Sequence, residues 1–468
     1  MDADMPRIRL LKRYVDGDAP LPLGGANTRA SWQRFQKESR TNWGLLIIEA
    51  SADRLVPNGI TVGGSPDSKE AVVAQRIWRT NRMDSVFKEW VRYGLTFRRG
   101  FMTVWKDEKT ERAVIAADSP ETMYVATDPL QPWRVRAALR VWRDEDAEKD
   151  YALVWTNGRR QKFSRSIYVT PESKRLVRRI SGDWKPEQDA VETGQAPPVV
   201  VYNNPGGVGE FETHLDVINR INRGVLHRLV IEAMQSYRQR ALRAKDGDTR
   251  LPDKDPEGKD IDWGKIFEPA PGAMWELPPG IDIWEAQPTD TRPLLDGSTS
   301  DIRHLASSTR TPLPMLMPDN ANQSAKGATS ADAGHLSKCG DRLAEARVGA
   351  AAVLVEALKI EDVELEATNA LEVTFEPVEM VSVPEKFAAA AQAKAAGLPT
   401  KTIARKILGW SPAELAQLDV DRSDEMLFAA TIAAVSSPAQ TSPQQPQPAT
   451  VKPPKPPKPQ QNDPAPAA

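Results

Sequence analysis

The sequence predicts an α+β chain, and three observations predict it. Apolar residues recur at near-helical spacing over 26–98, switch to a period of two over 96–204, and return to three- and four-residue steps from Gly209 onward. Two later segments, 209–243 and about 327–360, keep helical patterning far beyond the three or four turns of an ordinary helix. The final stretch, 436–468, is so rich in proline, with the run Lys452-Pro-Pro-Lys-Pro-Pro-Lys458, that it cannot bury a core and is expected to be extended.

Residues 1–25 are charged and lack an apolar run, so they read as an arm and not as a secretory signal. Trp32, Phe35 and Leu45 to Ile48 supply the apolar positions of the first helical stretch. Pro57-Asn58-Gly59 marks a turn before a short strand, Ile60-Thr61-Val62, and a second helical stretch over 68–93 carries Ile77, Trp78, Phe87 and Trp90. Alternation then predicts strands at 101–105, 113–116, 123–125, 137–142, 151–155, 166–169 and 199–202, separated by Asp, Gly, Asn and Pro clusters. Asn203-Asn204-Pro205-Gly206-Gly207 ends this mostly antiparallel region.

The long helix expected over 209–243 has one apolar stripe, Phe211, Leu215, Ile218, Ile221, Val225, Leu229 and Ala233, with arginines on its other faces. At 1.5 Å per residue it would be a rod of roughly 50 Å, which would overhang the core of one small domain. Residues 244–288 are polar and broken by proline, with Trp263, Trp275 and Trp284 spaced through them. A helix over about 292–309 follows. Next comes a loop over 311–324 whose three prolines forbid a continuous helix and whose Asp319, Asn320, Asn322, Gln323 and Ser324 suit water. Lys326 lies just beyond it, before the second long helix. Short strands at 363–365 and 371–375 and two or three helices to about 435 complete the pattern.

Composition narrows the function. With 62 basic and 64 acidic residues the net charge is −2, which gives no global pull toward nucleic acid or an acidic membrane. Cys339 is the only cysteine, so no intrachain disulfide is possible. His214, His227, His304 and His335 include no pair at i, i+4 spacing, so zinc-hydrolase signatures are absent. The stretch from Asp253 to Gly258 starts like a calcium loop, but position twelve is Gly264 where a bidentate Glu is required. No apolar stretch reaches the ~20 residues of a membrane span, and no cofactor is expected. The best motif for sequence-specific DNA reading is 395–410, where Gly397 separates a small-residue helix from one bearing Thr400, Lys401, Thr402 and Arg405, as in a helix-turn-helix.

The order of segments resembles the portal protein family of tailed, siphophage-type bacteriophages. The stretch Asn42 to Leu55 with Asn58-Gly59-Ile60 is similar to that family's helix-then-strand entry. Ile77-Trp78, Asn81-Arg82-Met83-Asp84, the run from Tyr93-Gly94 to Val104-Trp105, and Asp118-Ser119-Pro120 to Asp128-Pro129 follow in the family's order. Gly209-Glu210-Phe211-Glu212 is similar to its stem entry. Asn322 to Ala328 resembles its Asn-x-Ser segment after the tunnel loop, with Ala325 where relatives often have Gly. The likeness runs over about 10–420, and its colinearity carries it.

The resemblance implies a phage portal fold. An N-terminal arm would occupy 1–25 and a mixed wing 26–208. The first stem helix would span 209–243, the clip 244–288, the second stem helix 289–310 and the tunnel loop 311–326. A long wing helix with strands would fill 327–380, a helical crown 381–435, and the tail 436–468 would follow. It also implies no enzymatic activity, and a homo-oligomeric ring, normally of twelve subunits, at one capsid vertex of the virion, assembled in the host cytoplasm. Its partners would be double-stranded viral DNA, held without sequence specificity, the terminase large subunit, a head–tail adaptor, and major capsid and scaffolding proteins. On this placement the stem stripe from Phe211 to Leu229 serves oligomerisation, and Trp263, Trp275 and Trp284 serve partner docking. Asp319, Asn320, Asn322, Gln323, Ser324 and Lys326 face the DNA. The alternative is a helix-turn-helix regulator using 395–410.

Overall fold

The computed structural model describes all residues except 23–29, 157, 168–180, 195, 237–239, 245–252, 255–256, 263–280, 286, 288, 319–324, 367–369, 380–382 and 437–468. The chain divides into two compact units, 1–416 and 417–468.

In the first unit, α1 (Met5–Val15) carries Ile8, Leu11 and Tyr14 on one face, at three-residue steps, and all three are buried in the main core. The expected N-terminal arm is therefore a docked helix; a stripe that short carries little periodic signal in a run of mixed charges. Next come α2 (Ala30–Glu38) and α3 (Trp43–Ala52), the latter capped by Asn42, whose side chain accepts from Leu45 N at 3.1 Å. Strand β1 (Pro57–Val62) precedes α4 (Lys69–Thr80) and α5 (Met83–Phe97). The single helix expected over 68–93 is two, because Asn81 ends the first and Arg82 turns into the left-handed region at φ 51°.

Strands β2 (Arg99–Lys106), β3 (Ala113–Asp118), β4 (Met123–Thr127), β5 (Val135–Asp144), β6 (Lys149–Thr156), β7 (Arg159–Ser166), β8 (Lys185–Pro186), β9 (Val191–Glu192) and β10 (Val199–Asn203) form two antiparallel sheets. One has the order β10-β2-β3. In the other, β4 to β8 pair in sequence and β9 joins β7. β7 reads Arg-Arg-Gln-Lys-Phe-Ser-Arg-Ser, with too few apolar residues to alternate visibly, and so escapes a periodicity reading. The strand expected at 166–169 is the end of β7; residues 168 and 169 lie outside the described residues.

After a 3₁₀ turn at Glu212–His214 come α6 (Leu215–Ser236), β11 (Arg240–Ala244), β12 (Ile281–Glu285), α7 (Arg292–Thr309) and a single helical turn, α8 (Leu313–Leu316). The helix expected over 209–243 is thus shorter, about 33 Å at 1.5 Å per residue, and its last expected residues are strand. The expected boundary at 244 consequently falls inside a strand pair. α9 (Ala325–Ile360) is followed by β13 (Leu371–Phe375), which pairs with β1; the strand expected at 363–365 is not formed. Last come α10 (Val383–Ala395), α11 (Thr400–Ile403), a π-turn at Ala404–Leu408, and α12 (Pro412–Ser436), which runs on into the second unit.

The main core is organised around α9. Cys339, Leu343, Ala346, Ala350, Val353, Leu354, Ala357 and Leu358 form its buried stripe, and the alanines let neighbouring backbones come close. A Cβ on Gly349 would overlap the Trp90 ring of α5, and one on Gly94 would overlap Tyr202 of β10. Trp90 and Tyr202 meet edge to face, with centroids 5.3 Å apart. Two missing side chains thus set the spacing of helix, helix and sheet.

Candidate functional site

Helices α6 and α7 run antiparallel. Arg220 grips Asp301 with two bonds of 2.9 and 2.8 Å, a Cβ on Gly224 would touch Ser298 Oγ, and Gln235 Nε2 donates to Thr289 O at 2.8 Å. Beyond them β11 and β12 pair from Arg240 with Glu285 to Ala244 with Ile281. Paired positions along this path sum to a nearly constant value, so the described elements α6, β11, β12 and α7 share one hairpin register between 215 and 309.

The apolar stripe of α6 changes character along this hairpin. Phe211, Ile218 and Ile221 are buried in the main core, and Leu226, outside that cluster, is buried as well. Leu215, Val225 and Leu229 are half-buried, and on α7 Leu295 is exposed. The root of the hairpin is therefore anchored in its own chain, and the farther half keeps apolar surface open.

The root carries a buried polar hub. α7 ends at Arg310, whose φ of 51° turns the chain toward α8, and this leaves carbonyls without helical partners. Lys338 Nζ of α9 donates to Thr309 O at 2.9 Å, and His335 Nδ1 lies 2.9 Å from Arg310 O. His335 Nε2 lies 3.0 Å from Ala50 O of α3, so one imidazole spans α3, α9 and the exit from α7. Thr309 Oγ1 donates to Leu305 O at 2.7 Å and meets Thr311 Oγ1 at 2.9 Å.

Glu210, at the entrance to α6, lies 3.4 Å from Lys338 Nζ and 2.9 Å from Arg342 Nε. Burial opposes ionisation of Glu210, but Lys338 and Arg342 outweigh it and hold the carboxyl below its ordinary value. Burial also draws the Lys338 ammonium down, against the pull of Glu210. His335 is pushed down by burial and then by Lys338. Both ends of the hairpin, Glu210 before α6 and Thr309 at the end of α7, are thereby tied to one turn of α9. Arg7 of α1 adds a bidentate pair to Glu212, and Tyr14 Oη donates to Asn219 at 2.6 Å.

A family model described as phage portal protein, SPP1 Gp6-like, matches residues 1–426. The chain belongs to that family. Its function is that of a portal, and portal-family proteins are structural. Among solved structures it is similar to a chain titled as the neck of a native gene transfer agent (GTA) particle computed with C12 symmetry. The identity is 14%, 86% of this chain and 99% of that chain are covered, and the TM-score is 0.45. It is also similar to a chain from the virion of a native gene transfer agent particle, at 14% identity, the same coverage and a TM-score of 0.44. No curated protein matches the sequence.

The remaining residues expected at portal-family sites divide as follows. Asp319, Asn320, Asn322, Gln323 and Ser324, with Trp263 and Trp275, lie outside the described residues. Lys326 is in the first turn of α9, so the loop expected over 311–326 is shorter at its end and holds a helical turn, α8. Trp284 sits in β12, paired with Ala241. Lys338, Glu210, Arg342, His335 and Thr309 were not legible as a site. Two cations four apart, Lys338 and Arg342, on one face of an alanine-rich helical stretch were the available signal, since a face that packs into the core buries charges only against a partner.

Among the described residues no group of three or more His, Cys, Asp or Glu could hold a metal ion, and no helix is long and apolar enough to cross a membrane. Residues 395–410 do not present a free reading helix. α11 spans four residues, its Ile403 and the following Ala404 are buried, and Asn58 Nδ2 of β1 donates to Gly409 O at 3.2 Å. The segment packs against the β1–β13 pair, where Pro412 occupies the space a Cβ on Gly59 would need.

Proposed function

We propose that this portal-family chain assembles into a ring, of twelve copies as is usual for the family, at one capsid vertex of the virion after assembly in the host cytoplasm. Viral duplex DNA would pass through the ring during packaging and ejection. The observation that carries the reading is the hairpin over 215–309: its root is fixed to α9 by Glu210, Lys338 and Thr309, and its farther half keeps apolar side chains half-buried or exposed. A ring of such hairpins, packed side by side, buries Val225 and Leu229 between copies. The β11–β12 end, with Trp284 and the stretch holding Trp263 and Trp275, is the docking end for the terminase large subunit and the head–tail adaptor. The wing meets major capsid and scaffolding proteins.

The segment after α8, with Asp319, Asn320, Asn322, Gln323 and Ser324, followed by Lys326, contacts the DNA backbone in the channel. Amides hydrogen-bond phosphate without the counterion-release attraction of a row of lysines, so DNA is held without sequence preference and still slides. Support comes from the family match over 1–426 and from the near-neutral charge. Negative-stain images and native mass of the purified chain test the reading: closed rings with a central channel are expected. Particles that remain monomeric at micromolar concentration and high salt would sink it.

A further inference from the structure

The turn between β4 and β5 is a bare apolar knob. Leu130 and Trp133 at its tip are 89% and 77% exposed, the two most exposed large apolar side chains among the described residues. Their exposure is built in by a braced turn. Asp128 Oδ1 accepts from Leu130 N at 2.8 Å and Gln131 N at 3.2 Å, Asp128 N donates to Arg134 O at 2.8 Å, and Arg134 N donates to Gln131 O at 2.8 Å. Pro129 and Pro132 fix the backbone on either side of Leu130. A braced turn that holds an indole in water is preorganised for a partner, because little conformational freedom remains to be lost on contact.

The same wing carries a receptor of matching chemistry. A pocket of about 310 Å³ opens between β2 and the face of β5, β6 and β7, lined by Trp105, Trp155 and Leu153 together with Lys106, Arg140 and Arg160. Arg140 lies over the Trp105 ring, 5.5 Å from its centroid, and is paired with Asp118 at 2.9 Å. Arg160 has no acidic partner among the described residues and is exposed at the mouth. Apolar walls with a cationic rim suit an electron-rich aromatic ring, which takes dispersion contact from the tryptophans and a cation at its face. An indole fits the volume.

We propose that the Leu130–Trp133 knob of one copy seats in the Trp105–Trp155–Arg160 pocket of the neighbouring copy. The inference rests on the ring reading above and supplies its wing contact. Knob and pocket are different surfaces of one chain, so the contact is head-to-tail, the kind that closes into a ring when repeated. Trp133 lies in the turn just before β5 and Arg140 five residues into that strand from Val135, roughly 17 Å along it, so one copy can offer its knob and receive another's at the same time. The free Arg160 supplies the cation for the incoming indole face.

The test uses the full-length chain carrying Trp133→Cys and Thr193→Cys together, Thr193 being at the pocket wall. Cys339 is fully buried and stays silent. A short bismaleimide added to assembled particles is expected to give a ladder of covalent multimers that neither single variant gives. A second arm measures assembly by sedimentation for Trp133→Phe, Trp133→Ser, Arg160→Glu and the Ser/Glu double variant. Phe should assemble normally, Ser and Glu should each raise the assembly concentration about tenfold, and the double variant should be no worse than either single one. Wild-type rings with no ladder, or fully additive effects of Ser and Glu, would overturn the knob contact and leave the ring reading standing. Absence of wild-type rings defeats the ring reading itself. Ser-variant rings that assemble normally yet fail to enter capsid shells would assign the knob to a coat protein instead, which also overturns the proposal.

Discussion

Lys338 donates to the carbonyl of Thr309 at 2.9 Å, so a cation from another helix joins the chain's own Arg310 and Thr311 amides in closing the end of α7. The same ammonium faces Glu210, at the start of the hairpin's other arm. One side chain thereby fixes the separation of the two arms at their root.

Lys338→Met should therefore cost more than a lost surface charge. It strands the Thr309 carbonyl and leaves Glu210 with Arg342 as its one charged partner in a buried site, which we expect to destabilise the chain by about 2–4 kcal/mol. Urea unfolding of the full-length protein checks this. A loss below ~1 kcal/mol would show that the hub does not hold the root.

The hub also sets an acid limit. Glu210 has a folded-state value below its ordinary 4.5, so its contribution is fully present above that pH and is lost as pH falls through the lower, folded value. Wild type should lose stability more steeply than Glu210→Gln below about pH 4.5, and the two should run parallel from pH 6 to 8. Denaturant midpoints across that range would reveal equal slopes if the pairing is unimportant.

Gly349→Ala tests the contact of α9 with α5. The added methyl must displace the Trp90 ring, which is fully buried and has nowhere to move, so about 1–3 kcal/mol of overpacking is expected. Gly334→Ala on the same helix meets open space and should be neutral or slightly stabilising. Similar melting temperatures for the two variants would contradict the packing described.

Leu229→Asp places a charge on the half-buried stretch of α6, beyond the anchored root. Wing secondary structure should survive while sedimentation shifts from rings to monomers, because an unpaired charge in a helix contact costs several kcal/mol. Intact rings would remove α6 from the subunit interface.

Changing Asn320, Asn322 and Gln323 together to Lys should leave assembly intact and slow DNA translocation, most of all at low salt, where counterion release is strongest. A packaging assay at several salt concentrations reads this directly. Unchanged rates at all of them would place the segment away from DNA.

Much of the fold was legible because its periodicities are strong. Residues 113–116, 137–142 and 371–375 fall inside strands that form, and the expected helix over 292–309 ends where α7 ends. What escaped has local causes. β7 is a strand made almost wholly of polar residues, which only pairing with β6 can reveal. α6 stops at Ser236 although helical spacing continues, because Arg240 to Ala244 gain a partner forty residues later in β12. The hub was hidden for a similar reason, since Glu210, Thr309 and Lys338 belong to three segments and only the fold makes them neighbours.

The near-constant register of the hairpin, from Arg220 opposite Asp301 to Arg240 opposite Glu285, governs how such a chain can change length. Residues added to one arm alone would slip every later pair and turn half-buried faces outward. Residues added in matched numbers to both arms would extend the projection and leave Glu210, Thr309 and α9 untouched. The length of the paired arms is thus a dimension that insertions can tune in matched steps while the root stays as it is.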